Sequence, residues 1–474
     1  MPVSPGPVPE PGWRRCSSRS RRALALARLE GRELLASRAW WLLLAMTGPL
    51  AGHAFGTAIA SYAEMSGAGG GPAALAQGLS PLDGLVVPTL GAYAVVATFL
   101  LPFVAIRLVS TERESGAGRL LAQTPAGLGL RLAVKAGVLL AGWLAAWLPA
   151  FLAFALWLGA GGHLDAGETG NVLLGHFLHG LLILAIAVAA AAVCKSSASA
   201  AIVTLGFTVG AWALDFMAAG REGLIARLAP FTPEAALRTF EHGELRLAVV
   251  AVLLLASLAG FAFAGLWLDP FRAVRTRVAL SATLLVLALG GAALAASWRS
   301  GWDLSEDRRN SFPRADEALL RTLRQPVRVT VHLAPEDPKR ADLERNVLAK
   351  LWRVVPSLEV AYAAESQTGL FEDAEGHYGE IWYQVGPNRA LLRSTTEPIV
   401  LEKIYELAGV APPQAASDPP YSGYPLATPP RGVAPLFFMA WPLAAGLAFV
   451  VSRGRGRSSC AQLVAPSSLS SSSD

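Results

Sequence analysis

Residues 110–127, STERESGAGRLLAQTPAG, stand between two long apolar stretches and match neither. Glu112, Arg113 and Glu114 open the segment, Gly116 and Gly118 loosen it, Arg119, Leu120 and Leu121 follow, and Pro125 closes it. A run from Glu112 to Arg119 backed by two leucines fits a short amphipathic helix lying along a membrane surface. Such a helix suits a groove on a soluble partner. Each glycine lowers its stability by about 1 kcal/mol relative to alanine, so a contact from elsewhere is expected to hold it. The plainer reading is that a loop between apolar helices needs charge to stay in water, which accounts for Arg107 and Lys135.

A second set of polar residues lies inside the apolar stretches, where ionisable groups are costly and mark candidate sites. These are His53, then His176 and His179 at helical i, i+3 spacing, and Asp215. A polar patch at the mouth of a substrate path, or a weak metal site, is one reading, with His179 and Asp215 expected to approach each other. Hydrogen bonding between helices or exposure at the interface is the other. An intramembrane enzyme built on these residues would call for an HExxH-like or glycine-serine motif, and neither occurs. Cys16, Cys194 and Cys460 are too scattered for a disulfide framework or a zinc site. No GxxxxGK[ST] loop is present, so any NTP hydrolysis must come from another polypeptide.

The elements that position these residues are membrane helices. Of 474 residues, 53% are hydrophobic and 16% charged, against roughly 25% charged in soluble domains. Several windows exceed the ~18 apolar residues that read as a membrane span. We place eight spans near 40–62, 85–108, 132–158, 172–194, 199–219, 246–268, 278–298 and 433–451, with kinks at Pro49, Pro102 and Pro149. Basic residues accumulate on the cytoplasmic side of such proteins. Eight arginines precede the first span, while 63–84 and 159–171 contain no Lys or Arg. Both termini and the 110–127 loop are therefore expected in the cytoplasm, and the polar block 299–431 outside it. The net charge of +5 reflects this topology and not nucleic-acid binding.

Within the polar block, VRVTVHLA (327–334) alternates as a strand does, ADLERNVLAKLWRVV (341–355) has helical spacing, and LEVAYAA (358–364) is a second strand. GEIWYQV and RALLR flank Gly386-Pro387-Asn388 as a hairpin, and 397–409 reads as a helix ended by Gly409. A Pro-, Ser- and Gly-rich tether leads to the last span. His332 and His377 are isolated, and the block favours binding or scaffolding over catalysis.

The 110–127 segment resembles the cytoplasmic loop of type-2 ABC exporter permeases, Glu-Arg-Glu-x-Gly-Thr-hydrophobic-x-Leu-Leu-x-x-x-Pro. The matching residues are Glu112, Arg113, Glu114, Gly116, Leu120, Leu121 and Pro125, with Ala117 in place of the Thr and Gly118 in place of an apolar residue. RRALALARLEGRELLASRAWW resembles the interfacial helix of that family, with Leu24, Ala27, Gly31, Leu34 and Leu35 as its expected apolar face. Residues 228–247 resemble its outer re-entrant hairpin. WDLSEDRRNSFPRADEALLRTLRQPVRVTVHL (302–333) and the last span are similar to the auxiliary component of gliding-motility ABC permeases.

The resemblance implies a polytopic α-helical membrane protein of the bacterial inner membrane. Its parts would be a disordered cytoplasmic N-terminus (1–20), a six-span permease core (21–268, interfacial helix 21–39), a seventh span (269–298), a shortened extracytoplasmic α/β auxiliary domain (299–431), an eighth span (432–452) and a cytoplasmic Arg/Ser-rich tail (453–474). It also implies a transport subunit without its own ATP site. A separate ATP- and magnesium-binding ATPase would dock at Glu112, Arg113, Glu114, Gly116, Arg119, Leu120, Leu121 and Pro125. The other partners would be a second permease half and membrane lipid, with no metal or cofactor on this chain. The alternative is a non-transporting anchor whose 299–431 domain assembles an extracytoplasmic complex.

Overall fold

A computed structural model describes residues 12–66, 79–116, 118, 123, 126–218, 224–363, 377–413, 421–426 and 430–464. Eight of its helices are long and apolar enough to cross a membrane: Arg38–Met65, Leu82–Glu114, Leu128–Gly159, Ala166–Val193, Ser197–Ala218, Leu247–Leu268, Val274–Ala296 and Val433–Arg453, here spans 1 to 8. Together they are the build of a multi-pass membrane protein. The helix Gly12–Ala36 precedes span 1 and is separated from it at Ser37.

Two of the three prolines break their helices. Span 2 is interrupted at Leu100 and restarts with Pro102 in its first turn, and span 3 restarts at Leu148 with Pro149. Proline has no N–H to continue the ladder, which forces the restart. The orphan N–H of Ala150 donates to the Tyr93 hydroxyl at 3.1 Å, tying the break in span 3 to span 2. Pro49, by contrast, lies in a helix that runs without interruption from Arg38 to Met65.

Tyr93, Trp143 and Trp147 meet edge-on at the centre of the bundle. Spans 2 and 4 each bury 61% of their apolar windows, whereas span 7 buries 6% and span 8 11%. The last two are therefore peripheral additions to a bundle formed by the others. Span 8 lies on span 1, where Val433, Phe437 and Trp441 sit over Gly56, Gly52 and Gly48. A Cβ at Gly52 would come within 2.2 Å of the Phe437 Cβ. The Trp441 indole N–H donates to the Leu44 carbonyl at 2.7 Å.

The polar block forms a four-stranded sheet in the order β4-β3-β5-β6, with β3 Val327–Val331, β4 Leu358–Tyr362, β5 Ile381–Val385 and β6 Asn388–Leu392. β3 and β4 are parallel, joined by a helical connection from Pro338 to Val354; β5 and β6 form the expected hairpin, with Gly386 at φ 58°. Val327, Val329 and Val331 pair with Val385, Tyr383 and Ile381, and this face is buried under the crossover helix and the helix Glu397–Ala408. Gly409 caps the latter in the left-handed conformation that glycine adopts without penalty.

Two arrangements differ from expectation. A small antiparallel pair, β1 Glu244–Arg246 with β2 Gly301–Asp303, joins the hairpin before span 6 to the entry of the polar block. The tether, where described, is also not free. Tyr424 N donates to the Leu79 carbonyl, the Tyr62 hydroxyl donates to the Tyr424 carbonyl at 2.7 Å, and Leu426 is buried.

Candidate functional site

The charged segment after span 2 is built on a buried ion cluster. Glu112 and Arg113 belong to the last turn of span 2, which ends at Glu114, Ser115 and Gly116, the last with φ 75°. Glu112–Glu114 is thus the end of a span, not the start of the separate surface helix expected there. The N-terminal helix contributes Glu30 and Glu33, and the first turns of span 3 contribute Lys135. The Lys135 ammonium donates to Glu30 Oε2 at 2.6 Å and to Glu112 Oε1 at 2.8 Å, with both Lys135 and Glu30 almost wholly buried.

Burial raises the Glu30 carboxyl to about 7, with Lys135 drawing it down and the Glu112 and Glu33 charges adding to the rise. Burial raises Glu33 also. Among the described residues, Glu30, Glu33 and Glu112 are the one carboxylate set close enough to share an ion, and the Lys135 ammonium already supplies that positive charge.

Arg113 completes the clamp. Its Nη1 donates to the carbonyls of Ala191 and Cys194 at 2.5 and 2.7 Å. These are unsatisfied acceptors at the C-terminus of span 4, where the helix dipole favours a cation. Glu114 is exposed. Arg119, Leu120, Leu121 and Pro125 lie outside the described residues.

Glu30, Glu33 and Lys135 were not among the candidate site residues. The signal available in the sequence was a pair of glutamates at i, i+3 in an otherwise basic helix. The buried face of that helix matches the expected one at Leu34 and in part at Ala27 and Gly31. Leu34 is buried and Leu26 partly so, but Leu24 and Leu35 are about half exposed. The same face seats Glu30 on Lys135.

At the opposite end of the bundle the hairpin is a short helix, Pro233–Glu241, capped by Thr232. Its Phe240 fits against Gly175 of span 4, and Asn171 Nδ2 donates to the Phe240 carbonyl at 3.0 Å. His176 and His179 are fully buried beneath it, with His176 Nε2 at 3.5 Å from Glu241 Oε1. Among the described residues their ring nitrogens find no hydrogen bond of normal geometry, although the Pro233 carbonyl faces His179.

Asp215 pairs with the Arg238 guanidinium through both oxygens, so the expected meeting of His179 with Asp215 is not made. The hairpin helix takes up both, His176 through Glu241 and Asp215 through Arg238. The suggested metal site is likewise not assembled, since these residues form no ligand set among the described residues. His53 is exposed on span 1, apart from the others.

The polar block is fastened to this end. Glu306 N donates to Glu168 Oε2 at 3.0 Å; the Glu306 carboxylate meets His163 Nε2 at 3.1 Å and accepts from the Tyr424 hydroxyl at 2.6 Å. His163 stacks on Tyr424 with ring centroids 3.7 Å apart. Arg309 binds Asp307 and, across to span 2, Asp83. A cavity of about 1000 Å³ opens between the hairpin helix, the end of span 5 and the crossover helix of the polar block.

Comparison with family models and with curated proteins gave no match to this chain.

Proposed function

We propose that this chain is the permease subunit of an ABC transporter, an exporter of the gliding-motility type fused to a shortened auxiliary domain. A separate ATPase docks on the 110–127 segment. The carrying observation is the Glu30–Lys135–Glu112 cluster with Arg113 beside it. It binds the end of span 2 to the N-terminal helix, span 3 and span 4 at once. A push on the exposed side of this turn is delivered to all four, as a coupling element requires. The peripheral placement of spans 7 and 8 supports a six-span permease core with an appended unit. In this reading the chain lies in the bacterial inner membrane, multi-pass, with both termini cytoplasmic and 299–431 outside. ATP and magnesium are held by the ATPase, and a second permease half, identical or related, completes the transporter.

A second reading, a non-transporting anchor or mechanotransmitter, is favoured by one observation. The polar block is clamped to the bundle by Glu306 and Arg309, so force on the loop would reach an extracytoplasmic complex without any flux.

The test is purification of the full chain from its native membrane in gentle detergent, with Glu114→Lys in parallel. Glu114 is exposed, so its reversal alters docking without disturbing the buried cluster. The expected outcome is an ATPase that co-purifies with the wild type and is lost from the variant. Co-purification of partners through 299–431 alone, with no ATPase, overturns the transporter reading. ATP-dependent flux in vesicles separates transport from anchoring.

A further inference from the structure

The cavity at the hairpin end has a composition that selects a ligand. Each of its carboxylates has a guanidinium partner: Asp215 with Arg238, Glu244 with Arg246, Glu344 with Arg340, and Asp83 with Arg309, a single cation that Asp83 shares with Asp307. Arg345 lines the same cavity and, among the described residues, has no acidic partner. Its charge bears on His242, whose imidazole is pushed below its ordinary range by burial first, then by Arg345 and Arg309, against the opposing pull of Asp83 and Glu241. The imidazole offers a hydrogen bond beside the Arg345 guanidinium, and a guanidinium group matches phosphate and carboxylate geometry.

The apolar side of the cavity points to the rest of the ligand. Phe216 lines it and is 74% exposed; one turn earlier on span 5 Trp212 is 57% exposed, stacked on Phe216 at 6.1 Å and 14°. These rings form an exposed aromatic track from the apolar flank of span 5 into the cavity. Its volume of about 1000 Å³ is at the upper end for small-ligand sites.

We propose that this cavity binds an amphipathic anion, with its phosphate or carboxylate headgroup at Arg345 and His242 and its hydrocarbon tail on Trp212 and Phe216. As the substrate class of the exporter the inference rests on the transporter reading; as a binding site it stands without it.

The experiment titrates the full-length chain, purified in neutral detergent without any ATPase, with dihexanoyl phosphatidic acid, dihexanoyl phosphatidylcholine and inorganic phosphate, by calorimetry. Phosphatidic acid is expected to bind at least about tenfold more tightly than phosphatidylcholine, the scale of one charge-assisted contact. Inorganic phosphate is expected to compete but to bind more weakly than the lipid. Arg345→Glu should weaken phosphatidic acid at least about tenfold, and Phe216→Ala should weaken the lipid while leaving phosphate unchanged. Arg345→Gln serves if the reversal does not elute as a single species.

Equal binding of the two lipids, or binding indifferent to Arg345, overturns the headgroup site. Phosphate binding as tight as the lipid overturns the tail track. Arg345-dependent binding in a chain that never recruits an ATPase keeps the site and sinks the transporter reading. Recruitment of an ATPase without such binding does the reverse.

Discussion

Lys135 holds one ammonium between two carboxylates in a place almost closed to water. One negative charge neutralises it, so the second is surplus, and the surplus falls on Glu30, raised to about 7 by burial. A carboxyl whose folded value lies above its ordinary 4.5 binds more protons folded than unfolded. Folding stability should then fall as pH rises from about 4.5 to about 7, and be regained on acidification through the same window. Glu30→Gln removes that titration, so melting temperature against pH should be flatter in the variant than in the wild type. Identical slopes would refute the assignment. Lys135→Met leaves Glu30 and Glu112 facing each other without a cation. The expected loss is roughly 3–5 kcal/mol, the cost of stripping one partner from a buried pair. Denaturation in detergent reads it, and Lys135→Arg should recover part of it. The same geometry separates Glu112 from Glu114: Glu112→Lys would set two ammonium groups together and damage the fold, whereas Glu114→Lys reports on docking alone.

At the scale of elements, span 8 depends on two glycines of span 1, Gly48 and Gly52. Gly52→Ile places a branched side chain where Phe437 already stands, and overpacking of this kind costs about 1–3 kcal/mol or more. Gly91→Ile on span 2, where a Cβ meets nothing within 4 Å among the described residues, is the control. The melting temperature of Gly52→Ile should drop well below that of Gly91→Ile; equal values would mean that span 8 is not seated as described. The spans themselves were legible because a membrane helix is an uninterrupted apolar run, and the two proline breaks followed from one missing N–H each. The sheet of the polar block was legible through alternation at Val327, Val329 and Val331 and through the turn at Gly386. What the sequence hid was pairing over distance. Lys135 lies 105 residues from Glu30, so nothing local shows that Glu112 points inward or that the N-terminal helix turns its glutamate to the bundle. β1 and β2 are three residues each, too short to alternate, and are specified by each other. His176 and Asp215 were legible as buried polar residues, but their partners come from the hairpin helix.

Across the whole molecule the two ends are linked by span 4. Arg113 grips its C-terminal carbonyls at Ala191 and Cys194, while Glu168 in its first turn receives the backbone of Glu306 from the polar block. The helix between is 28 residues long, about 40 Å at 1.5 Å per residue, and it is among the most buried of the spans. It is therefore a stiff rod with a handle at each end. If an ATPase moves the end of span 2, Arg113 passes the motion to the end of this rod, against which span 2 also packs, whereas Glu112 passes it to the N-terminal helix and span 3. Arg113 was expected in the docking surface, but its guanidinium is turned to the span 4 carbonyls, so Arg113→Ala should leave the ATPase bound through the unchanged Glu114. It should abolish any nucleotide-dependent change in hydrogen exchange over 303–312, where the polar block meets span 4. Hydrogen exchange of the assembled complex with and without ATP measures this. A nucleotide response at 303–312 that survives Arg113→Ala would show that the polar block is reached by another route, through the packing of span 2 on span 4 or the Arg309–Asp83 contact with span 2.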